Sequence, residues 1–301
     1  MTLAIVVPYF KLTFFEATLK SLVNQTDKRF KVYIGDDASP ENPSVLLENY
    51  KPQLDFNYQQ FDNNLGSVSL VKQWERCMTM VQEEEWIMIL CDDDVLGENV
   101  VAEFYASVNE VSQQNINVIR YATQVINQYS EVISGIYQHP KLEKSIAFLF
   151  RKINGGTRSS LSEFVFRKSV LQEIKFKDLP LAWYSDYLAV LECTFFEYIY
   201  TINNALVFFR LSDINITAKK DDMLEKNIAT FNYYYYLLNI KGTLFDAKQT
   251  EILLFSLEKT FQDNKKNTSF WFLFTKLYIS KLYIKKYFNF IIKIVRGYIK
   301  K

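Results

Sequence analysis

Apolar residues gather in short runs near the start of the chain, and polar residues end each run abruptly. The runs cover residues 3–7 (LAIVV), 30–35 (FKVYIG) and 85–90 (EWIMIL). Uninterrupted apolar runs of about four to eight residues are typical of strands that a parallel sheet buries on both faces. The pattern therefore predicts three buried strands within the first hundred residues.

A helical pattern separates the first two runs. Phe15, Leu19 and Leu22 recur at helical spacing before the polar segment 24–27. Strand, helix and strand form a βαβ unit, whose right-handed crossover brings the ends of its parallel strands to one edge of the sheet. Because proline has no N–H to donate to a central ladder, Pro8 is expected to end the first strand.

Carboxylates follow two of these strands immediately. Asp36 and Asp37 come after the second run, and Asp92, Asp93 and Asp94 come after the third. In open α/β sheets, ligands bind beyond the carboxyl ends of the strands. Adjacent acids repel one another unless a cation, hydrogen-bond donors or solvent offset their charge, and oxygen ligands suit Mg²⁺ or Mn²⁺. The acids predict an active site with a divalent cation, the alternative being a solvated acidic turn.

Four short motifs occur in order along this region. They are V-V-P-Y-F at 6–10, I-G-D-D-A-S-P at 34–40, N-N-L-G at 63–66 and I-L-C-D-D-D-V-L at 89–96. Together they resemble glycosyltransferase family 2, and a weaker match continues to about residue 215. The resemblance implies an inverting nucleotide-sugar transferase of GT-A type. It also implies an α/β fold with a doubly wound, mostly parallel sheet flanked by helices, with a helical C-terminal extension.

The resemblance assigns donor contacts. Pro8 and Tyr9 would line the nucleobase pocket, and Asp37, helped by Asp36, would bond the base, since a uracil N–H needs an acceptor. The alternatives are core packing for the tyrosine and a turn or helix cap for the acids. Further expected donor contacts are Asn64, Gly66, Lys72, Arg76, Asp92 and Arg210. An ordinary turn, solvated helix cations and a strand-end cation are the alternatives for these.

The expected metal motif departs from the family pattern of two Asp residues around a variable one. Anchoring on Val-Leu at 95–96 puts Cys91 at the first Asp position, makes Asp93 the direct ligand and leaves Asp92 to the ribose or metal. Another register pairs Asp92 with Asp94. In either register Mn²⁺ or Mg²⁺ would stabilise the leaving diphosphate.

The general base that inversion requires would be Asp186, because the acceptor hydroxyl must lose its proton as it attacks. Ser185 occupies the position of the Glu in the family's Glu-Asp pair. Asp186 also precedes an apolar helical run, so a helix N-terminal acid is the alternative. Asp178 and Glu192 are less favoured as bases.

Composition narrows the function classes. With 301 residues, 49% of them hydrophobic, the chain can form one substantial catalytic domain and an appendage. A single histidine, His139, gives a histidine-dependent triad little to work with, and three cysteines lack zinc spacing. The first strand begins directly after Met1-Thr2, so the expected location is the cytoplasm.

The C-terminal segment is basic although the net charge is only +1. From residue 264 onward there is no Asp or Glu, and lysines alternate with apolar residues. At about 100° per residue, Ile284, Tyr287, Ile291 and Ile294 share one helical stripe. Val295 and Tyr298 extend it. Residues 270–301 are therefore expected to contact an anionic membrane surface, with nucleic acid as a weaker option.

These patterns predict a catalytic domain at 1–215, with a donor half at 1–100 and an acceptor half at 101–215, and a helical region at 216–301. The expected enzyme is peripheral on the inner face of the plasma membrane. It would transfer a sugar from a UDP-sugar to a glycan or lipid-linked acceptor in bacterial surface polysaccharide synthesis. A metal-dependent nucleotidyltransferase and a catalytically silent membrane-surface protein are the alternatives.

Overall fold

A computed structural model describes residues 1–215, 217–218 and 222–299 of the chain, with side chains to Ile294. The chain divides into two compact units. The first comprises Met1–Asp178 with Ser185–Lys219, and the second comprises Leu179–Tyr184 with Lys220–Lys301. Of the predicted basic tail, Lys300 and Lys301 lie outside the described residues, as do the side chains of Val295, Arg296 and Tyr298.

The first unit is a sheet flanked by helices. Its strands are β1 Leu3–Tyr9, β2 Phe30–Asp36, β3 Phe56–Gln60, β4 Trp86–Ile89, β5 Val95–Leu96, β6 Val118–Ile126, β7 Leu142–Lys144, β8 Phe164–Arg167 and β9 Tyr198–Arg210. Its helices are α1 Phe15–Val23, α2 Ser44–Tyr50, α3 Leu70–Met78, α4 Val100–Gln113, α5 Ser145–Ile153, α6 Lys168–Ile174 and α7 Ser185–Cys193.

The strand order is β3-β2-β1-β4-β8-β6-β9-β5, with β7 paired to β9. The first four strands pair in parallel, so β1, β2 and β4 end at the same edge. Beyond them the sheet is mixed, because β8 runs antiparallel to its neighbours whereas β9 is parallel to β6. The strand order reverses between β1 and β4, which is where such sheets bind ligands. The predicted fold class is confirmed.

The predicted end of the first strand at Pro8 is wrong, because β1 continues to Tyr9. Val6 accepts a hydrogen bond from the N–H of Leu90 on one side, and Tyr9 accepts one from Asp37 on the other. Since strand residues alternate sides, the nitrogen of Pro8 faces the side where β4 has already ended. The missing N–H therefore costs no ladder hydrogen bond.

The second unit is helical, with α8 Met223–Ile240, α9 Ala247–Asp263, α10 Thr268–Ser280 and α11 Ile284–Ile299. The pattern over 223–257 predicts continuous helix, but the chain breaks it at 241–246. Asp246 caps the start of α9 by accepting a hydrogen bond from the N–H of Gln249. Among the helices described, none is both long and apolar enough to cross a membrane.

Candidate active site

An acidic group lies directly beyond the buried strand β4. The Cys91 sulfur and one carboxylate oxygen from each of Asp93 and Asp94 lie within 4.8 Å of one another. Oδ2 of Asp94 is buried and accepts no hydrogen bond from the described residues. Hard cations such as Mn²⁺ and Mg²⁺ prefer oxygen, and a thiol suits softer metals. The two carboxylates therefore fit the expected cation, and Cys91 is a neighbour that cysteine spacing did not indicate.

Asp92 has a different set of contacts. Its Oδ2 accepts hydrogen bonds from the backbone N–H of Phe10 at 2.8 Å and of Lys11 at 2.9 Å. It therefore ties the loop after β1 to the loop after β4. Because Asp92 is outside the close group of Cys91, Asp93 and Asp94, its expected contact with ribose or metal stays a prediction.

The charges of the acids oppose one another. Burial raises the pKa of Asp92 and Asp93, and the neighbouring carboxylates raise that of Asp93 further. Burial also raises the pKa of Asp94 to about 6, against the backbone N–H of Arg210, which favours the ionised form. Three acids that resist ionisation side by side are typical of a place where a cation would be stabilising.

Arg210 supports the acids from beneath, with 1% of its surface exposed. Its Nε donates to the carbonyl of Asp93 and its backbone N–H to Oδ1 of Asp94, both at 2.8 Å. Its Nη1 donates to the carbonyl of Asn127. Asn215, which the sequence did not indicate, donates to Oδ2 of Asp93 at 2.7 Å. The expected contact of Arg210 with diphosphate stays a prediction for a side chain that is buried among these partners.

A second carboxylate arrangement lies beyond β2. Asp37 accepts hydrogen bonds from the N–H groups of Leu65 at 2.7 Å and Gly66 at 2.8 Å, and Arg76 contacts its Oδ1 at 2.6 Å. A Cβ at Gly66 would lie 2.5 Å from Oδ2 of Asp37, so the approach requires glycine. Burial raises the pKa of Asp37, and the two N–H groups and Arg76 oppose that rise. The structure thus brings together three predicted donor residues.

Other predicted donor residues have structural partners or are more exposed. Asp36 accepts hydrogen bonds from the N–H of Ser39 and the hydroxyl of Tyr58. Tyr9 is fully buried, and its hydroxyl donates to the carbonyl of Glu41 at 2.6 Å. In this conformation neither side chain is open to a base. The remaining predicted residues are partly or fully exposed, namely Pro8, Asn64 and Lys72.

The predicted base, Asp186, lies in the first turn of α7 and remains partly accessible. Burial of its carboxyl raises its pKa to about 6, opposed by the N–H of Tyr187 and by the charges of Lys152 and Arg158. Arg158 also acts electrostatically on Asp94. Asp186 is therefore ionised mainly above about pH 6, and one cation acts on both it and the acidic group beyond β4.

Solved structures with a similar fold include TarS of S. aureus. It is 17% identical, with a TM-score of 0.62, and the match covers 87% of this chain but only 44% of TarS. TarS 1–349 in complex with UDP-GlcNAc is 16% identical over 87% of this chain and 73% of that one, with a TM-score of 0.62. TarS 1–349 in complex with UDP is 15% identical over 87% and 80%, with a TM-score of 0.53. At these identities the likeness shows the fold.

No curated protein matches the sequence of this chain. The family model described as glycosyl transferase family 2 matches residues 4–174, which is more than half of the chain. The matched segment contains β1, β2 and β4 with the carboxylates that follow β2 and β4. The protein therefore belongs to glycosyl transferase family 2.

Proposed function

We propose that this glycosyltransferase moves a sugar, with inversion, from a UDP-sugar to a hydroxyl of a glycan or lipid-linked acceptor in bacterial surface polysaccharide synthesis. The observation that carries the proposal is that β2 and β4 deliver their carboxylates to one edge of the sheet, beside the point where strand order reverses. The TarS 1–349 complexes with UDP and UDP-GlcNAc support a uridine nucleotide as donor.

The donor half, at 1–100, would bind the nucleotide through the arrangement around Asp37. A carboxylate held by two backbone N–H groups and Arg76 is rigid, and its remaining lone pairs suit an imide N–H of uracil. Pro8, Tyr9 and Asp36 would shape the pocket. The other proposed donor contacts are Asn64, Gly66, Lys72, Asp92 and Arg210.

Asp93 and Asp94 would hold Mn²⁺ or Mg²⁺, with Asp92 held close by in the same turn. A bound divalent cation stabilises the negative charge that develops on a leaving nucleoside diphosphate. Arg210 would fix the positions of both acids through its hydrogen bonds to Asp93 and Asp94.

The acceptor half, at 101–215, would supply the general base. In a single displacement with inversion, the acceptor oxygen bonds to the anomeric carbon as the bond to the diphosphate oxygen breaks. Asp186 would accept the proton of that hydroxyl. A carboxylate with a pKa of about 6 is a better proton acceptor than an ordinary aspartate and is still mostly ionised at neutral pH.

Thermal unfolding tests the donor class. We expect UDP with Mn²⁺ to raise the unfolding temperature by several degrees, because ligand at about 100 times Kd adds about 2.7 kcal/mol to the free energy of unfolding. GDP, dTDP and CDP should give smaller shifts, and a chelator should reduce the UDP shift. Equal shifts with all four nucleotides, or none with any, would contradict the proposed donor.

The two alternatives give different products. A nucleotidyltransferase would attack phosphorus and release pyrophosphate, whereas a glycosyltransferase attacks carbon and releases UDP. A catalytically silent protein would release neither. Product analysis with a UDP-sugar and a lipid-linked glycan therefore separates all three.

The proposed membrane contact rests on α11. Phe290 is buried and stacks near Phe274 at 4.8 Å, so one face of the helix is covered. A second face exposes Ile284, Phe288 and Ile292, by 41%, 60% and 48%. The predicted apolar stripe thus needs a correction, because Tyr287 is partly covered and pairs with Thr275 of α10, whereas Phe288 and Ile292 are exposed.

A third face of α11 carries exposed Lys285 and Lys293. An exposed apolar row beside lysines suits the surface of an anionic bilayer, such as the inner face of a plasma membrane. The acid-free sequence from residue 264 onward adds to that attraction.

Changing both lysines to glutamine should weaken binding to anionic vesicles by about 2 kcal/mol, or roughly 30-fold, at about 1 kcal/mol per lysine. The matched control is Lys20→Gln with Lys51→Gln, which removes two exposed lysines from the other unit. Cosedimentation with anionic and neutral vesicles measures the effect. Equal losses in the two double variants would contradict the role of α11.

A further inference from the structure

Two cations approach Asp186 from elements that precede it in the chain. Lys152, in the last turn of α5, places its ammonium 4.7 Å from the centre of the Tyr187 ring, next to Asp186. Its ammonium is largely enclosed and donates no hydrogen bond to the described residues, and burial lowers its pKa. A lysine in such a position is costly unless nearby charge compensates it. The carboxylate of Asp186 is the first charge that favours its protonated form.

Arg158 lies on the loop between α5 and β8. Its guanidinium carbon is 4.2 Å from the centre of the Phe209 ring, and its Nη1 makes a long hydrogen bond of 3.3 Å to Thr123. Its nearest ion pair is 3.8 Å from Oε2 of Glu163. These contacts leave much of its donor capacity unused, because a guanidinium carries five N–H groups.

Other charged groups near α7 have different partners. Glu163 is fully buried and accepts hydrogen bonds from the Ser159 hydroxyl and the Ser160 N–H. It faces both cations and lies in the turn before β8. The neighbouring helix α6 contributes Lys168, whose ammonium donates to the carbonyl of Gln82. The remaining charged residue of α6 is Glu173.

We propose that Lys152 and Arg158 are positioning residues that keep the Asp186 carboxylate ionised and oriented to receive the acceptor proton. The proposal rests on the proposed function, because it gives Asp186 the role of base. Burial alone favours the neutral acid, which cannot accept a proton. The two cations offset that cost from the α5 side, and both act on Asp186. Neither residue touches the reacting atoms in this account.

Lys152 offers the cleaner test, since Arg158 also acts on Asp94. In Lys152→Met, the acid limb of the kcat/KM profile should move to higher pH by roughly half a unit to one unit. Transfer at pH well above the limb should stay near the normal rate, and the KM for the donor should not change. Lys152→Arg, which keeps the charge, should restore the normal limb.

The matched control is Lys144→Met. Lys144 also lies over a tyrosine ring, 5.7 Å from the centre of Tyr198, but it is exposed. Its replacement should leave the pH profile unchanged. A uniform loss of rate at every pH in Lys152→Met, with the limb unmoved, would show a structural role and overturn the proposal.

A second measurement does not depend on activity. The ¹³C carboxyl resonance that disappears in Asp186→Asn can be titrated in the full-length protein, and Lys152→Met should raise its midpoint by the same amount. An unmoved midpoint overturns the proposal even where no acceptor has been found. Absence of UDP release by the unmodified enzyme, with a raised midpoint in Lys152→Met, would contradict the proposed function and leave the electrostatic role of Lys152 supported.

Discussion

Replacing Asp186 with asparagine should abolish sugar transfer while leaving donor binding intact. The amide keeps the size of the side chain but cannot accept a proton, and general base catalysis contributes about 10²- to 10⁴-fold to a rate. UDP release in the presence of an acceptor should therefore fall by at least about 10²-fold. The thermal shift produced by UDP and Mn²⁺ should stay at its normal size.

Misfolding is not expected to confuse this result. The pKa of Asp186 is raised to about 6 in the folded protein, so ionisation above that pH costs folding free energy relative to an ordinary aspartate. An uncharged amide removes that cost. The variant should unfold at an equal or higher temperature than the unmodified protein above about pH 6, and at a similar temperature below it.

Glu192→Gln is the matched control, because it changes a second carboxylate of the same helix to an amide. We expect it to retain transfer within a few-fold. Near-normal transfer by Asp186→Asn, together with a large loss in Glu192→Gln, would move the base to Glu192. The unmodified enzyme should also lose activity as the pH falls below about 6, where Asp186 becomes protonated.

The parts of the fold that were predictable depend on local pattern. The runs at 3–7, 30–35 and 85–90 are β1, β2 and β4, because a strand buried on both faces needs apolar residues at every position. The segments that follow are acidic, and parallel strands end at one edge, so the location of the candidate site followed from the sequence. The helix at 15–23 was equally evident from its spacing.

The parts that were not predictable depend on contacts between distant positions. Asn215 reaches Asp93, and Arg210 supports the turn that contains Asp93 and Asp94. Nothing in the local sequence of a strand-ending arginine shows whether it faces a ligand or lies buried under acids. The position of Cys91 beside the carboxylates follows from the turn after β4, not from cysteine spacing.

The continuation of β1 through Pro8 has a similar origin. Whether a proline interrupts a strand depends on the side to which its nitrogen points and on the length of the neighbouring strand there. The end of β4 decides that question, and sequence pattern does not give lengths to single-residue accuracy.

Replacing Asp93 with alanine should abolish the part of UDP binding that depends on Mn²⁺. Asp93 provides an oxygen to the close group with Asp94, and its loss leaves one carboxylate and the Cys91 sulfur, a poor set for a hard cation. The thermal shift with UDP and Mn²⁺ should fall to the value seen with UDP and chelator. That removes about 2.7 kcal/mol of stabilisation at ligand concentrations of about 100 times Kd.

Comparison with Asp92→Ala and Cys91→Ser makes the test specific. Asp92→Ala leaves the N–H groups of Phe10 and Lys11 without their acceptor, so it should lower the stability of the free protein by about 1–3 kcal/mol. Cys91→Ser should keep the Mn²⁺-dependent shift, because oxygen replaces sulfur beside the carboxylates. A full Mn²⁺-dependent shift in Asp93→Ala, with its loss in Asp92→Ala, would place the metal ligand at Asp92 and favour its pairing with Asp94.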